Sequence, residues 1–264
     1  MKKISILLVL ALLLGCLAGC GAGKVYDEAA AAARVQLEDF TVQTADGSSL
    51  SLSSLLEGHQ LALINLFSVE NGASAAELPA LAEAYAQYQD RVAVLALSAA
   101  DNDTPETLKE YVEYFALPFP VASASGLNLS RYGDTVPLSI LVDSHCNILA
   151  VETESKSSAQ AFSQLFDRYL AGDYRLDQCS YTVIFYDADS YEQIPGCEAT
   201  FTLDGNSASV TSDASGVAVF TGTPGVYQVR AISAPEGYKI IAYGSYETAP
   251  YDSVHYVALE KTAS

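Results

Sequence analysis

The stretch LALINLFSVENGASAAELPAL, Leu61 to Leu81, decides the fold of the first half of this 264-residue chain. Its opening run, Leu61 to Phe67, is continuously apolar, which is typical of a strand buried on both faces of a sheet. A helix is predicted from Ser74 to Tyr88, because its apolar residues recur at helical spacing. The residues that share this helical face are Leu78, Leu81, Tyr85 and Tyr88. A buried strand followed by such a helix indicates an α/β fold.

The same alternation of strands and helices continues to residue 170. The further predicted elements are strand Val92–Ser98, helix Pro105–Phe115 with Thr104 as its N-cap, strands Leu138–Asp143 and Asn147–Thr153, and a closing helix that carries Phe162, Leu165, Phe166 and Tyr169. The first connections are parallel crossovers, and the last two strands form a hairpin around residues 144–146. This order predicts an α/β sandwich with a mixed sheet.

Four segments resemble the thioredoxin fold in its membrane-anchored, TlpA-like redoxin branch. They are DFTVQTADGSSLSLSSLLEG (39–58), LALINLF (61–67), AAELPAL (75–81) and YGDTVPLSILVD (132–143). The resemblance implies a thioredoxin-like domain over residues 35–171. Proteins of this branch open the first helix with Trp-Cys-x-x-Cys. Here the Trp position holds Glu70, and the two Cys positions hold Asn71 and Ser74.

Without these thiols the exchange chemistry of that family is lost, since a thiolate must attack sulfur and a second thiol must resolve the mixed disulfide. The pattern from Ser74 to Glu77, Ser-x-x-Glu, predicts a capping box at the helix start. Glu77 also aligns with an acid that assists proton handling in that branch, a role that is void without thiols. A serine nucleophile at Ser74 is disfavoured, because none of the three histidines has a recognisable triad spacing.

Pro137 aligns with the cis-proline that precedes a central strand of the thioredoxin fold. The resemblance implies that the backbone of the residue before it, Val136, pairs with an extended substrate peptide, which would be strand-type recognition. The alternative is that Pro137 only shapes the turn. The sequence therefore predicts a peptide-binding groove at Val136 and Pro137, with no catalytic residue beside it.

The N-terminus has the form of an export signal. Lys2 and Lys3 precede the apolar run Ile4–Leu14, and LAGC at residues 17–20 resembles the bacterial lipobox. We therefore expect a signal peptide over residues 1–19 and a diacylated Cys20. That residue would anchor the chain to the outer face of the cell membrane, with residues 20–34 as a tether. A plain secretory peptide is the alternative.

The net charge of the chain indicates which classes of partner it can bind electrostatically. It carries 32 acidic and 13 basic residues, a formal net charge of −19. Nucleic acid and anionic lipid both need a positive surface, so neither is expected as an electrostatic partner. The chain is expected to be attached to the membrane by the lipid on Cys20. Any other partner is expected to be a cell-envelope or extracellular protein or peptide.

After a predicted linker at residues 172–178, helical patterns stop and short strands separated by turns predict a β-sandwich over residues 179–264. The segments IPGCEA (194–199), DASGVAVF (213–220), PGVYQV (224–229) and SAPEGY (233–238) resemble the collagen-adhesin B-type, prealbumin-like domain. Some members form a Lys–Asn isopeptide bond. The matching Lys and acid positions hold Phe185 and Ala231, so no such bond is expected.

Three cysteines remain after Cys20: Cys146, Cys179 and Cys197. At most one intramolecular disulfide can form, and Cys179–Cys197 is the candidate pair. A hairpin of strands 181–189 and 199–205 would instead place Cys197 opposite residues near Asp187. The Asp-x-Asp pairs lack the Gly and Glu of a calcium loop, so no metal or other cofactor is predicted.

Together these features predict a lipid-anchored, exported protein that binds or scaffolds a protein or peptide without catalysis. The alternative is a thiol-disulfide oxidoreductase of atypical mechanism that uses Cys146 or the thiols of a partner. A third function is that of a spacer that lifts the β-sandwich off the membrane.

Overall fold

The computed structural model describes residues 28–171 and 174–262. The predicted signal peptide and Cys20 lie outside this range. None of the helices described is both long enough and apolar enough to cross a membrane.

Between residues 28 and 171 the structure has five α-helices and seven strands. They are α1 Glu28–Ala31, β1 Thr41–Gln43, β2 Ser49–Ser51, α2 Leu52–Leu56, β3 Leu61–Phe67, α3 Gly72–Tyr88, β4 Val92–Ser98, α4 Pro105–Phe115, β5 Val121–Ser123, β6 Leu138–Asp143, β7 Ile148–Glu152 and α5 Ala159–Leu170.

Five of these strands form one mixed sheet in the order β5-β4-β3-β6-β7. Strands β3, β4 and β5 are parallel, while β6 and β7 run antiparallel as the predicted hairpin. Leu61, Leu63 and Phe67 belong to a core with residues of α3, α4 and α5, and the alternate side chains of β3 belong to a second core with α2. The thioredoxin-like α/β prediction is confirmed.

The predicted capping box at Ser74 is wrong. Helix α3 begins at Gly72, and its N-cap is Asn71, whose side-chain oxygen accepts a hydrogen bond from the Ser74 N–H. The amide of Asn71 satisfies one of the free N–H groups of the first turn, so the helix starts earlier than the Ser-x-x-Glu pattern implies. Ser74 and Glu77 then lie on the buried side of the helix.

The second half is an all-β sandwich. Its strands are β8 Cys179–Asp187, β9 Glu198–Leu203, β10 Asn206–Thr211, β11 Val217–Gly222, β12 Gln228–Ser233, β13 Tyr238–Ala242, β14 Ser245–Glu247 and β15 Ser253–Lys261. They form two four-stranded sheets, β10-β9-β12-β14 and β11-β8-β15-β13.

The two candidate disulfide residues lie in this sandwich as buried free thiols, Cys179 on β8 and Cys197 just before β9. The hairpin considered for the strands at 181–189 and 199–205 is wrong, because β8 and β9 belong to opposite sheets. Their inward side chains meet in one core, which includes Tyr181, Phe185 and Phe201.

The end of the predicted tether is packed rather than free. Ala31 and Arg34 are both buried. The Arg34 guanidinium donates hydrogen bonds to backbone carbonyls where the two halves of the chain meet. At the same junction the main chain of Asp252 pairs with the edge strand β7: its N–H donates to Leu149 O at 2.9 Å, and its carbonyl accepts from Val151 N–H at 3.3 Å.

Candidate functional site

Two predicted site elements, distant in sequence, meet at the N-terminus of α3. The Val136-Pro137 peptide bond is cis, as the resemblance implies. Asn71 Nδ2 donates to the carbonyl oxygen of Val136 at 3.4 Å. The structure therefore places Asn71, the position of the nucleophilic thiol in relatives of this type, directly against the predicted peptide-binding backbone.

Asn71 and Ser74 both have structural roles here. The side-chain oxygen of Asn71 caps the helix through Ser74 N–H at 2.9 Å. Ser74 is fully buried, and its hydroxyl accepts from Ser68 N–H at 3.3 Å. The histidines make their hydrogen bonds elsewhere: His59 with the Leu55 carbonyl, and His255 with the Tyr243 carbonyl. Among the described residues, no base is hydrogen-bonded to the Ser74 hydroxyl, as activation of a serine nucleophile would require.

A buried polar network lies beneath these positions. Glu77 accepts from Asn65 Nδ2 at 2.8 Å and from Lys156 N–H at 2.9 Å. Asn65 Nδ2 also donates to Ser139 Oγ at 3.0 Å. Within the described part of the chain, Asn65 Oδ1 has no partner. Sequence reasoning missed this network, although Asn65 is the single polar residue in the run Leu61–Phe67 and was its available signal.

Burial raises the pKa of the Glu77 carboxyl above its ordinary value, against the opposing effect of its hydrogen bonds to Lys156, Ser155 and Asn65. Both carboxyl oxygens accept hydrogen bonds, Oε1 from Asn65 Nδ2 and Oε2 from Lys156 N–H. These bonds favour the ionised form, while burial favours the neutral form and has the larger effect on the pKa.

Replacing Glu77 with Gln is expected to change how stability depends on pH. A carboxyl with a raised pKa binds its proton more tightly when folded, so its stabilisation is complete below the unfolded pKa and is lost as pH rises through the folded pKa. The Gln variant has no such loss. Urea denaturation across roughly pH 4 to pH 7 should therefore show Glu77→Gln gaining stability relative to the parent chain. A difference between the two proteins that does not change with pH would contradict the raised pKa.

Asp103 fixes the loop that leads into α3. Its Oδ2 accepts from Val69 N–H at 3.1 Å and from the Ser98 hydroxyl. Its carboxylate thus joins the end of β4 to residues next to Asn71. The described residues contain no group of three or more His, Cys, Asp or Glu side chains placed to hold a metal ion.

The three described cysteines lie away from this site or deep in the core. Pro137 and Cys146 flank opposite ends of the six-residue strand β6, which separates them by roughly 20 Å at the usual rise of a strand. Burial, together with Asp39 and Asp143, raises the pKa of the Cys146 thiol. Burial also raises the pKa of Cys179 and that of Cys197 to about 11 each. All three thiols are therefore poor sources of thiolate at neutral pH.

Comparison with known proteins supports the redoxin character of the first half. Residues 33–136 match the AhpC/TSA family. The chain is 29% identical over 130 residues to the thiol-disulfide oxidoreductase ResA of Halalkalibacterium halodurans, covering 48% of this chain and 72% of that protein.

The solved structures that are similar to part of this chain include two bacterial proteins. One is a thiol:disulfide interchange protein from Chlorobium tepidum TLS, at 18% identity and a TM-score of 0.46, covering 52% of this chain and 97% of that one. The other is StoA from Bacillus subtilis, at 16% identity and a TM-score of 0.42, covering 49% of this chain and 96% of that one. The family match identifies residues 33–136 as redoxin-type, thioredoxin-like sequence.

Proposed function

We propose that this redoxin-type domain binds an extended protein segment at the Val136-Pro137 backbone and carries out no thiol chemistry. The observation that carries the proposal is the hydrogen bond from Asn71 to Val136. At the two thiol positions, Asn71 caps the helix and Ser74 packs against the preceding loop, while the cis-proline next to them is present. By its sequence, the protein would be a lipid-anchored binding or scaffold protein on the outer face of the cell membrane.

The backbone of Val136 is suited to strand-type pairing. Its N–H has no hydrogen-bond acceptor among the residues of the described ranges. Within the described ranges its carbonyl accepts only from Asn71 Nδ2, at 3.4 Å, which is longer than the usual 2.7–3.2 Å range. A peptide strand could supply an acceptor for the N–H and displace this weak contact. Both main-chain groups of Val136 would then be satisfied, as in β-strand addition.

The alternative function, an atypical thiol-disulfide oxidoreductase, is favoured by the activity named for the ResA relative. The position and raised pKa of Cys146 weigh against it, since this thiol is at the far end of β6 and is held protonated. A role for the thiols of a partner would still require this chain to bind that partner, for which Val136 is the candidate surface.

The predicted anchor and the β-sandwich complete the proposal. Acylation at Cys20 would hold the chain at the membrane through residues before Arg34, and Arg34 itself is bound where the two halves meet. The tether would therefore leave the protein at its domain junction. The sandwich, with its resemblance to collagen-adhesin B-type domains, would act as a second binding module or as a spacer.

The catalytic part of this proposal is tested by an insulin-reduction assay with dithiothreitol as the reductant. We expect the chain from residue 28 onward to leave the rate at its uncatalysed background, and Cys146→Ser to do the same. Acceleration by the parent chain that is lost in Cys146→Ser would establish the oxidoreductase alternative instead.

The binding part predicts that Pro137→Arg abolishes binding of an extended peptide. The probe is an unstructured eight-residue peptide of Gly, Ser and Val, and the readout is the shift of the Val136 amide signal by NMR. Because Pro137 is buried, its Arg variant could misfold, so the exposed Thr135→Arg is the second blocking variant and Pro118→Arg, also exposed, is the matched control. Unchanged binding in folded Thr135→Arg would contradict the proposed surface.

A further inference from the structure

A cavity of about 330 Å³ opens beside Val136, at the carboxyl ends of the three parallel strands. Its wall includes Leu66 and Ser98 near the ends of β3 and β4, Ser123 at the end of β5, and Val136 itself. Ligands of open α/β sheets bind outside the carboxyl ends of the strands. The volume lies at the lower end of the roughly 300–1,000 Å³ range of small-molecule sites, which suits one long side chain.

The cavity wall is negatively charged. Among the described residues that line it, Asp101 and Asp134 are the only charged ones, and both are exposed. In the described part of the molecule, neither carboxylate makes an ion pair. The nearest basic side chain in sequence is that of Arg131. Its Nη1 forms an ion pair with Glu38 Oε1 at 3.6 Å, and its guanidinium lies over the Tyr132 ring. The cavity is therefore complementary to a positive group.

A second cavity of about 400 Å³ adjoins the first. The two share Ser123 and Ser125 in their walls, and the second extends between the β1–β2 hairpin and the start of α4, next to Thr41, Pro105 and Leu108. None of the described residues that line it is charged. The acidic cavity beside Val136 and this uncharged cavity thus lie on either side of the segment 123–125.

We infer that this pair of cavities selects an extended protein segment that carries a lysine or arginine, with that side chain in the first cavity and an uncharged side chain in the second. The inference rests on the proposed pairing at Val136 and adds the chemical class of the partner. An extended strand turns alternate side chains to opposite faces. One residue of a bound segment can therefore enter the first cavity while its neighbours pair with the backbone of Val136.

The test compares two eight-residue Gly/Ser/Val peptides that differ at one central position, Lys or the uncharged norleucine. They are titrated at low salt into the isotope-labelled chain from residue 28 onward, and the amide signals of Val136 and Ser123 are followed by NMR. We expect the Lys peptide to bind about fivefold more tightly, the size of effect that exposed ion pairs produce.

The charge on the cavity wall supplies the matched variants. The pair Asp101→Asn with Asp134→Asn should remove the preference for Lys. The pair Glu83→Gln with Asp90→Asn, which changes the net charge equally outside the cavity, should keep it. Equal binding of both peptides at Val136 would overturn the cationic preference and leave the proposed function intact. If the preference for the Lys peptide survives in the double variant Asp101→Asn with Asp134→Asn, it comes from the overall negative charge of the chain, and the proposed site in the first cavity is overturned. If neither peptide shifts Val136, the proposed pairing fails and the inference fails with it.

Discussion

Replacing Arg34 with methionine is expected to lower the free energy of unfolding by about 3–5 kcal/mol, as removal of one partner from a buried ion pair does. The Arg34 side chain is 1% exposed, and its Nη2 lies 3.9 Å from Asp252 Oδ1. The guanidinium donates to five backbone carbonyls, those of Ile148, Leu149, Arg175, Leu176 and Gln178. Methionine fills similar space but offers no donor, so these acceptors and a carboxylate lose their partner together.

Because Arg34 also pairs with the Asp252 carboxylate, its replacement should lower the free energy of unfolding by more than the loss of a single hydrogen bond would. The Asp252 carboxylate accepts from the Tyr169 hydroxyl at 2.8 Å and from Ser180 N–H at 3.0 Å. Burial already raises the pKa of Asp252, with Arg34 as one of the opposing influences. Without that cation the pKa should rise further. Because Tyr169 belongs to the first half and Ser180 to the second, Arg34→Met should also weaken the coupling between the two domains.

Urea denaturation followed by far-ultraviolet circular dichroism measures this effect, since the chain has no Trp to report by fluorescence. Arg175→Met is the control, because Arg175 pairs with Asp177 at an exposed position and should cost no more than about 1 kcal/mol. Arg34→Lys should lie between the two, as it keeps the charge but loses the five-donor fork. If Arg34→Met matches the control, the main-chain pairing of Asp252 with β7 alone holds the junction.

The strands and helices of the first half could be predicted from sequence because their signals are local. The apolar runs Leu61–Phe67 and Val92–Ser98 are central strands, and the Thr104-Pro105 pair starts α4 as its residue types indicate. Strand β5 has only three residues, too few for a period to be recognised. Sequence order alone would favour a hairpin of β8 and β9, but the sandwich places the two strands in opposite sheets.

The site could be located from sequence but not described. The alignment around Asn71, Ser74 and Pro137 identified the place, because a motif fixes positions even where its residues change. It could not show that Glu77 points inward to Asn65, since two patterns, a capping box and a buried acid, share the same letters. The role of Arg34 could not be predicted from sequence. Its hydrogen-bond acceptors are backbone carbonyls more than a hundred residues away, and every residue has a backbone carbonyl, so the sequence does not show which ones accept.

Restoring both thiols, Asn71→Cys together with Ser74→Cys, is expected to turn the chain into a disulfide reductase. The first sulfur would lie at the N-cap of the 17-residue helix α3, where the helix dipole favours a thiolate. A Cys-x-x-Cys thiol with a pKa near 7 is about half ionised at neutral pH, compared with a few per cent for an ordinary cysteine. Loss of the Asn71 cap costs about 1 kcal/mol, which a folded domain can tolerate.

The single variants separate thiol chemistry from the rest of the site. Asn71→Cys alone should form a mixed disulfide with the substrate but not turn over, because Ser74 cannot resolve it. Ser74→Cys alone places its thiol at a fully buried position and should stay at background. In the insulin assay only the double variant should therefore exceed the uncatalysed rate. A double variant that forms its internal disulfide, folds and still fails to reduce insulin would mean that the groove no longer admits an extended peptide, and the proposed binding at Val136 would fall with it.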